Sequence, residues 1–485
     1  MSPWIIGIKT LCFVLFFLLL TACPQSELHN PAYDMSTDMH TQSSSNLQCN
    51  EESIDRYINQ QSIAIRWDRQ FVITDPSVVN DACRTQWTGR DANGNPCPAD
   101  SVGHWTFGYI MKQISGNIPT EQFIEKWIKS WESTQTANNH TIAGRRDISL
   151  VINSNWGLLK YIPENAPFRL LAIVNRIDLA NLPGPYASAP QGEARFIFGL
   201  VDSAGQPMQA TFSFEFQYSP LRGKKTLDWA NAWYALGNVS ASASKEQYNV
   251  ALQDITDQFI DSYSHLTGPN LGTAFLRLRT NESAFGGDGS REWREYTLQD
   301  ASGVQCDASA QKNCQLVLQV LNTTPHYTFN ETSVLAAWIL EHKSEILSQS
   351  HLIPATFVNS GTTHWLAGGV GSVAATNRLN IWSYPGATLE SDVRHSFSVS
   401  TCNGCHYSDT GTNFYHIRPR TDSAESEISD YLKLNDLKSP SAQRISDPIS
   451  GEYRFTNEPR RRACEMIRIL SGSDKRYRLA FDFTK

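Results

Sequence analysis

Two cysteines and a histidine lie close together near the C-terminal end of the 485-residue chain, in the order Cys402-Asn403-Gly404-Cys405-His406. This C-x-x-C-H spacing is typical of the covalent attachment of a c-type haem. Two thiols at this spacing could form thioether bonds to the haem vinyl groups, and the adjacent imidazole could ligate the iron. The cofactor would then bring redox chemistry, and the surrounding protein would tune it.

Two other chemistries are open to the same residues. Cys402 and Cys405 could form a tight disulfide, which would make His406 a bystander. Alternatively, Cys402, Cys405, His406 and His416 could bind zinc as a Cys₂His₂ set. The adjacent Cys405 and His406 are a poor tetrahedral pair, however, and thiolates are vulnerable to oxidation outside the cytoplasm. The motif therefore predicts haem c in an electron-transfer protein. The main alternative is a non-redox structural or binding protein with a Cys402–Cys405 disulfide.

A haem iron held by His406 has a second axial coordination position, opposite the imidazole. We predict His416 as the second metal ligand, because it lies ten residues after His406 and a loop of that length can close across a haem. His395 is the next candidate, Met466 the third, and an open or water-occupied position is a further alternative. Two imidazoles would suit electron transfer, whereas an open position would permit small-ligand or peroxide chemistry.

Two arginines follow the motif. Arg418 and Arg420 could pair with the haem propionates, since a guanidinium matches a carboxylate bidentately. Solvent-exposed charge is the favoured alternative for both. The chain carries no G-x-S-x-G, H-E-x-x-H or P-loop motif, so no hydrolase site is predicted. A haem enzyme such as a peroxidase is a third class, for which the sequence identifies no catalytic base.

The N-terminus has the pattern of an export signal. Lys9 precedes an apolar run over residues 10–20, which ends in Leu20-Thr21-Ala22-Cys23. This end resembles the lipobox of bacterial lipoproteins, in which the cysteine is lipidated and becomes the mature N-terminus. We therefore predict a signal peptide over residues 1–22 and anchoring of Cys23 in a lipid bilayer, where each buried methylene contributes about 0.8 kcal/mol. An ordinary signal peptide with an incidental cysteine is the alternative.

The predicted export of the chain agrees with the haem prediction, because haem c is attached outside the cytoplasm. The predicted location is the cell envelope, at the outer membrane or the periplasmic face. The sequence does not identify the redox partner. The formal net charge of −7 argues against a broad nucleic-acid footprint.

Residues 23–48 are rich in Ser, Thr, Asn and Asp and predict a flexible tether. An α+β body over residues 49–390 and a C-terminal segment over residues 391–485 follow. Six cysteines remain once Cys12, Cys23 and the motif pair are set aside. An even number in an oxidising compartment predicts disulfides. The first two predicted pairs close short loops, and the third follows by elimination: Cys83–Cys97, Cys306–Cys314 and Cys49–Cys464.

Strand and helix patterns alternate irregularly through the body. Residues 168–174 predict a buried strand, and residues 194–201 with 208–218 predict a β-hairpin. A short helix is expected from Thr226 to a stop at Gly237, and an extended segment from Ser396 to Ser400. The absence of a regular βα alternation favours an α+β fold with a mixed or antiparallel sheet, packed helices and a loop-rich C-terminal segment around the motif.

Side-chain alternation in the predicted strands separates apolar from polar residues. Phe212, Phe214, Phe216 and Tyr218 share one face and predict sheet core. The polar residues could build a binding site, but a paired network at the sheet end is favoured. They are Asn175, Arg176, Asp178, Glu193, Arg195 and Glu215.

Three blocks of sequence carry a wider resemblance: Phe168–Arg176, Arg279-Thr280-Asn281-Glu282 and Thr401–His406. They resemble blocks in uncharacterised exported bacterial proteins that are frequent in myxobacteria, over roughly residues 150–420. The resemblance implies a shared fold and brings no established activity with it. The similarity to c-type cytochromes is narrower and covers only the five-residue motif.

Overall fold

The computed structural model describes most of the chain after residue 64. The described residues are 65–158, 160–182, 189–218, 225–242, 244–261, 274–283, 291–306, 313–369, 371–373, 382–383, 389–433 and 443–472. The predicted signal peptide, Cys23, the tether and Cys49 lie outside them.

An antiparallel sheet forms the centre of the fold. The strands are β1 (Val72–Ile73), β2 (Gln135–Ala137), β3 (His140–Ile142), β4 (Phe168–Arg176), β5 (Glu193–Val201), β6 (Pro207–Gln217), β7 (Phe275–Ser283), β8 (Arg291–Gln299), β9 (Gln315–Leu318), β10 (Leu321–Pro325), β11 (Phe357–Asn359), β12 (Thr362–His364), β13 (Ala367–Gly368), β14 (Gly371–Val373), β15 (Gln443–Ser446) and β16 (Tyr453–Thr456). The sheet order is β1-β4-β5-β6-β7-β8-β14, with β9 also paired to β8, and the other strands form small two-stranded ladders. The predicted hairpin is confirmed as β5 and β6.

Helices surround this sheet, so the α+β prediction is confirmed. They are α1 (Trp67–Gln70), α2 (Pro76–Val79), α3 (Ala82–Thr85), α4 (Phe107–Ile114), α5 (Thr120–Lys129), α6 (Arg146–Trp156), α7 (Thr226–Ser242), α8 (Lys245–Ile260), α9 (Ser333–Glu341), α10 (Lys343–Leu347), α11 (Ser391–Val399) and α12 (Glu458–Leu470). Within the described ranges, every helix is too short or too polar to cross a bilayer.

Two local predictions were wrong. Helix α7 continues through Gly237 to Ser242, because burial of Trp229, Trp233 and Leu236 offsets the roughly 1 kcal/mol that an internal glycine costs. Residues 396–399, expected to be extended, form the last turn of α11. There Phe397 is buried against Trp338 and Trp382, and this tertiary packing outweighs the weak helix propensity of the serines.

The two faces of the central sheet differ in chemistry. On one face, Phe212, Phe214 and Phe216 are fully buried, which confirms the predicted aromatic core. Helices α4 and α5 add further rings, and Phe107 lies edge-on to Phe214 at 5.5 Å between ring centroids. We call this the aromatic face. The opposite face carries Arg195 and other polar residues, and we call it the polar face.

The C-terminal segment packs on the rest of the chain. Residues 47–485 form one compact unit, and buried Arg420 donates to the backbone oxygen of Leu170 in β4 at 2.8 Å. The predicted disulfides Cys83–Cys97 and Cys306–Cys314 are confirmed. Cys464 is also disulfide-bonded.

Candidate functional site

The motif lies in a short helical turn directly after α11. Residues 402–403 are α-helical and Gly404–Ser408 form a π-helical turn. The hydroxyl of Thr401 caps the start of this turn, because it accepts a hydrogen bond from the Gly404 N–H at 3.2 Å. Trp382 donates to the same hydroxyl at 2.9 Å. The sequence before the motif therefore sets the direction of the turn.

Glycine is required within the motif by a close approach to α11. A β-carbon at Gly404 would lie 2.0 Å from the carbonyl oxygen of Ser398, well inside van der Waals contact. The end of the turn is held by Asp409, which is buried and accepts hydrogen bonds from Arg394, His395 and Ser398. Both ends of the turn are thus fixed against α11.

His406 has a defined tautomer. Its Nδ1 lies 3.0 Å from the carbonyl oxygen of Phe414, so Nδ1 donates and Nε2 keeps its lone pair. Burial lowers the pKa of His406 to about 4, which keeps the imidazole neutral at neutral pH. A neutral imidazole with a free Nε2 is the form that ligates a metal.

Phe414 holds His406 through a strained backbone conformation. Its φ is +67°, a region that a bulky residue rarely adopts and that costs on the order of 1–3 kcal/mol. The Phe414 N–H also donates to the His406 carbonyl oxygen at 3.0 Å. These two hydrogen bonds, one from the His406 side chain and one between backbones, offset this strain and bring His416 back towards the turn.

His416 lies beside His406, with the ring centroids 4.6 Å apart. Its Nδ1 is 2.9 Å from the hydroxyl of Ser429, and its Nε2 is 3.5 Å from Cys405 Sγ. Burial lowers the pKa of His416 well below its ordinary value, and a positive charge on His406 would lower it further. Both imidazoles therefore have Nδ1 hydrogen-bonded away from the centre, as metal-ligating histidines usually do.

The two motif cysteines are free thiols. Burial raises the pKa of both, that of Cys405 to about 11, so neither is a thiolate at neutral pH unless a cation stabilises it. The alternative Cys402–Cys405 disulfide is not formed. Every other cysteine among the described residues is in a disulfide, which sets this pair apart.

Three potential ligand atoms converge. One atom each from Cys405, His406 and His416 lies within 4.8 Å of the others. Ligands of a tetrahedral zinc ion are about 3.3–3.6 Å apart, given bonds of about 2.0–2.3 Å, and the Sγ–Nε2 separation of 3.5 Å matches this range. The predicted fourth zinc ligand, Cys402, does not belong to this group.

A porphyrin places different demands on the same residues. Imidazoles on opposite sides of one iron have ring centres roughly 6 Å apart, for metal–nitrogen bonds of about 2 Å. The 4.6 Å separation of His406 and His416 leaves no room for a haem between the two rings. The motif turn itself offers two unbonded thiols and the Nε2 atom of His406, whose Nδ1 is held by Phe414.

The other ligand candidates have different surroundings. His395 Nδ1 lies 3.1 Å from a carboxylate oxygen of Asp409, and Met466 is fully buried in the main core. Arg420 donates to backbone oxygens of Val79 and Leu170, and Arg418 forms an exposed pair with Glu427. Both arginines therefore have other partners than a cofactor.

Several residues around the motif were not predicted from the sequence. Trp293 from β8 lies 5.7 Å from the His406 ring, and Ser429 orients His416. Arg279 and Arg195 of the polar face lower the pKa of His406 further after burial. Strand alternation opposite the phenylalanine ladder could have indicated Arg279, whereas the contacts of Trp293 and Ser429 depend on tertiary structure.

Comparison of the chain with protein families, with curated proteins and with solved structures finds no match. A functional assignment must therefore come from the site itself.

Proposed function

We propose that this chain is a lipid-anchored c-type haem protein that transfers electrons in the cell envelope. The observation that carries the proposal is the motif turn, which combines two free thiols with an imidazole whose Nε2 is available. Residues at positions i, i+3 and i+4 of a helix share a face. The sequence spacing of Cys402, Cys405 and His406 matches these positions, in a turn that becomes π-helical from Gly404.

Attachment would need no oxidant. Each S–H would add across a haem vinyl group, so that sulfur bonds to one carbon and the proton goes to the other. The raised pKa of both thiols favours survival of the unreacted dithiol, since thiolates oxidise faster than thiols. The haem would supply the redox couple, and the Phe414 carbonyl would hold the His406 ring in its ligating tautomer.

The location rests on two supporting features. The Leu20-Thr21-Ala22-Cys23 end of the signal resembles a lipobox, and disulfides such as Cys83–Cys97 are typical of an oxidising compartment. Lipidated Cys23 would anchor the protein in the bilayer, and an unidentified redox partner would exchange electrons with it there.

A second candidate is a mononuclear metal centre without porphyrin. It is favoured by the convergence of Cys405, His406 and His416 within 4.8 Å, which an ion such as zinc could bridge after small side-chain adjustments. Binding would require loss of the Cys405 proton, so the affinity would rise with pH.

The test begins with the full chain exported by a host that attaches haem c. We expect a Soret band that stays with the polypeptide after denaturation and disappears in the Cys402→Ala, Cys405→Ala double variant. A Cys306→Ala, Cys314→Ala variant is the matched control and should keep the colour. A wild-type protein without covalent colour would overturn the haem proposal.

Elemental analysis distinguishes the mononuclear metal centre from the haem proposal. One equivalent of metal without porphyrin absorbance, lost in His416→Ala but kept in His364→Ala, would establish the mononuclear centre. Under the haem proposal, His416→Ala keeps its covalent colour, because the thioether bonds do not involve that residue.

A further inference from the structure

A second group of potential metal ligands lies between the loop that precedes α4 and the end of α8. One ligand atom each from His104, Asp257 and Asp261 lies within 4.8 Å of the others. His104 Nδ1 is 3.1 Å from Oδ1 and 3.2 Å from Oδ2 of Asp257. The side chains of His104 and Asp257 remain 14% and 25% exposed, so an ion can reach them from solution.

A buried hydrogen bond fixes the loop on the helix beside these ligands. Trp105 donates from its indole N–H to the hydroxyl of Thr256 at 3.0 Å, and both residues are fully buried. Trp105 directly follows His104 in the chain, and Thr256 directly precedes Asp257. The Trp105 backbone N–H also donates to the carbonyl oxygen of Arg84 at 2.7 Å. The packing of the loop on the helix therefore brings the imidazole to the carboxylate.

Outer partners orient the ligand side chains. The ring of Tyr109 stacks on His104 with the centroids 4.3 Å apart, and its hydroxyl donates to Asp261 Oδ1 at 2.7 Å. A carboxylate has two oxygens, so Asp261 can accept from Tyr109 through one and bind an ion through the other. Gln253 donates to Asp257 Oδ2 at 3.0 Å. Metal ligands are usually held by hydrogen bonds of this kind.

The end of α8 carries an excess of negative charge. Asp254 and Asp257 lie in its last two turns, Asp261 caps it, and its last turn contains no basic residue. The carboxyl end of a helix is itself partly negative and favours cations. Within the described ranges, Asp257 forms an ion pair with His104 and with no lysine or arginine. A bound cation would compensate both the carboxylates and the helix end.

We infer that His104, Asp257 and Asp261 bind a divalent transition-metal ion such as Zn²⁺ or Mn²⁺, at a site that does not depend on the proposed haem function. One imidazole and two carboxylates suit these ions. Neighbouring ligands of such an ion are about 3.0–3.5 Å apart for bonds of about 2.0–2.2 Å, and His104 Nδ1 and Asp257 Oδ1 already have this separation.

The imidazole would bind the ion through Nδ1 and carry its proton on Nε2. Three protein ligands leave the remaining coordination positions to water, so the site would be open to a further ligand. Ca²⁺ takes about six to eight oxygen ligands, and this group offers it too few.

The experiment titrates Mn²⁺ into the chelator-treated full chain and counts the bound ion by electron paramagnetic resonance. Mn²⁺ prefers carboxylates to thiolates, so the motif cysteines do not compete. We expect one ion per chain. Asp257→Asn and His104→Phe should each weaken binding about a hundredfold, because each removes a ligand, and Tyr109→Phe should weaken it about tenfold through loss of an outer hydrogen bond.

Asp254→Asn is the matched control, since it removes a carboxylate of the same helix that does not belong to the ligand group. It should weaken binding roughly threefold at most, through the loss of long-range attraction. Equal weakening in Asp254→Asn and Asp257→Asn would show a diffuse attraction of cations to an acidic surface and would overturn the site. A wild-type chain that does not bind Mn²⁺ at about 1 mM would also overturn it.

Thermal unfolding separates the loss of a ligand from the loss of the fold. Mn²⁺ should raise the Tm of the wild type, because an ion that binds only the folded chain stabilises it. Asp257→Asn should unfold cooperatively without metal and gain nothing from Mn²⁺. His104→Phe provides the same comparison and keeps an aromatic ring against Tyr109. A rise in Tm equal to that of the wild type in both variants would contradict the inference.

Zinc tests the same site against the motif, whose Cys405, His406 and His416 also converge. A zinc equivalent that is lost in Asp257→Asn and kept in Cys405→Ala would support the site on α8. A single zinc equivalent that is lost in Cys405→Ala and kept in Asp257→Asn would assign the ion to the motif and overturn the inference.

Discussion

The two faces of the central sheet are built from the same strands but serve different purposes. On β6, Phe214 points into the aromatic core, while its neighbours Ser213 and Glu215 point to the polar face. Aromatic rings gain stability from burial alone. Buried charges need partners, and the polar face supplies them in an Arg–Glu network that adjoins the motif turn. The comparison indicates that one face stabilises the fold through apolar burial, whereas the other satisfies its buried charges by pairing and contacts the candidate site through Trp293.

The largest expected effect belongs to the aromatic face. Phe214→Ala should lower the free energy of unfolding by about 3–5 kcal/mol, because it removes a fully buried ring and leaves a cavity. Ser213→Ala, one residue away and on the opposite face, should change it by less than about 1 kcal/mol, since the serine hydroxyl has no hydrogen-bond partner among the described residues. Denaturant unfolding measures both. Equal costs would contradict the division between the faces.

The contribution of the polar face to the free energy of unfolding should depend on pH. Burial alone would raise the pKa of Glu215, but Arg195, Arg279 and Arg277 outweigh it and lower the pKa well below its ordinary value. The carboxylate therefore stabilises the fold above the unfolded-state pKa of about 4.3, and this stability is lost as the pH falls towards the lowered value.

Glu215→Gln should cost about 3 kcal/mol at pH 7 and flatten the acid limb of the stability curve below about pH 4.3. Phe214→Ala should shift the same curve downward by a similar amount at every pH, because no titrating group is removed. Unfolding free energies measured from pH 3 to 7 make the distinction. A Glu215→Gln curve parallel to the wild type would show that the network has no such role.

Among Phe214, Glu215 and Gly404, the smallest effect on the free energy of unfolding is expected at Gly404, together with a specific effect on cofactor attachment. Gly404→Ala should cost about 1–3 kcal/mol and, under the haem proposal, abolish covalent attachment, because its β-carbon would collide with the Ser398 carbonyl oxygen. Gly303→Ala is the control, since it introduces strain at φ +79° without a steric neighbour. It should cost about 1 kcal/mol and leave cofactor attachment unchanged. Retention of haem in Gly404→Ala would argue against a rigid turn.

Sequence reasoning succeeded where local chemistry decides the result. The disulfides Cys83–Cys97 and Cys306–Cys314 close short loops, and the phenylalanine ladder of β6 follows strict alternation. It failed at residues 396–399 and at Gly237, where tertiary packing outweighs local propensity. It left Arg418 and Arg420 open between propionate partners and solvent-exposed charges. Arg418 forms an exposed pair with Glu427, whereas Arg420 is buried and donates to distant backbone oxygens.

The sequence by itself determined the chemical groups of the site, since two thiols and an imidazole within five residues must lie close together in any fold. It also brought His416 within reach, because ten residues cannot carry it far. Only the tertiary structure decided that His406 donates through Nδ1, that His416 faces Cys405, and that Trp293 of β8 lies against His406. These relations join residues from separate strands and loops, and their distances depend on how the whole chain packs.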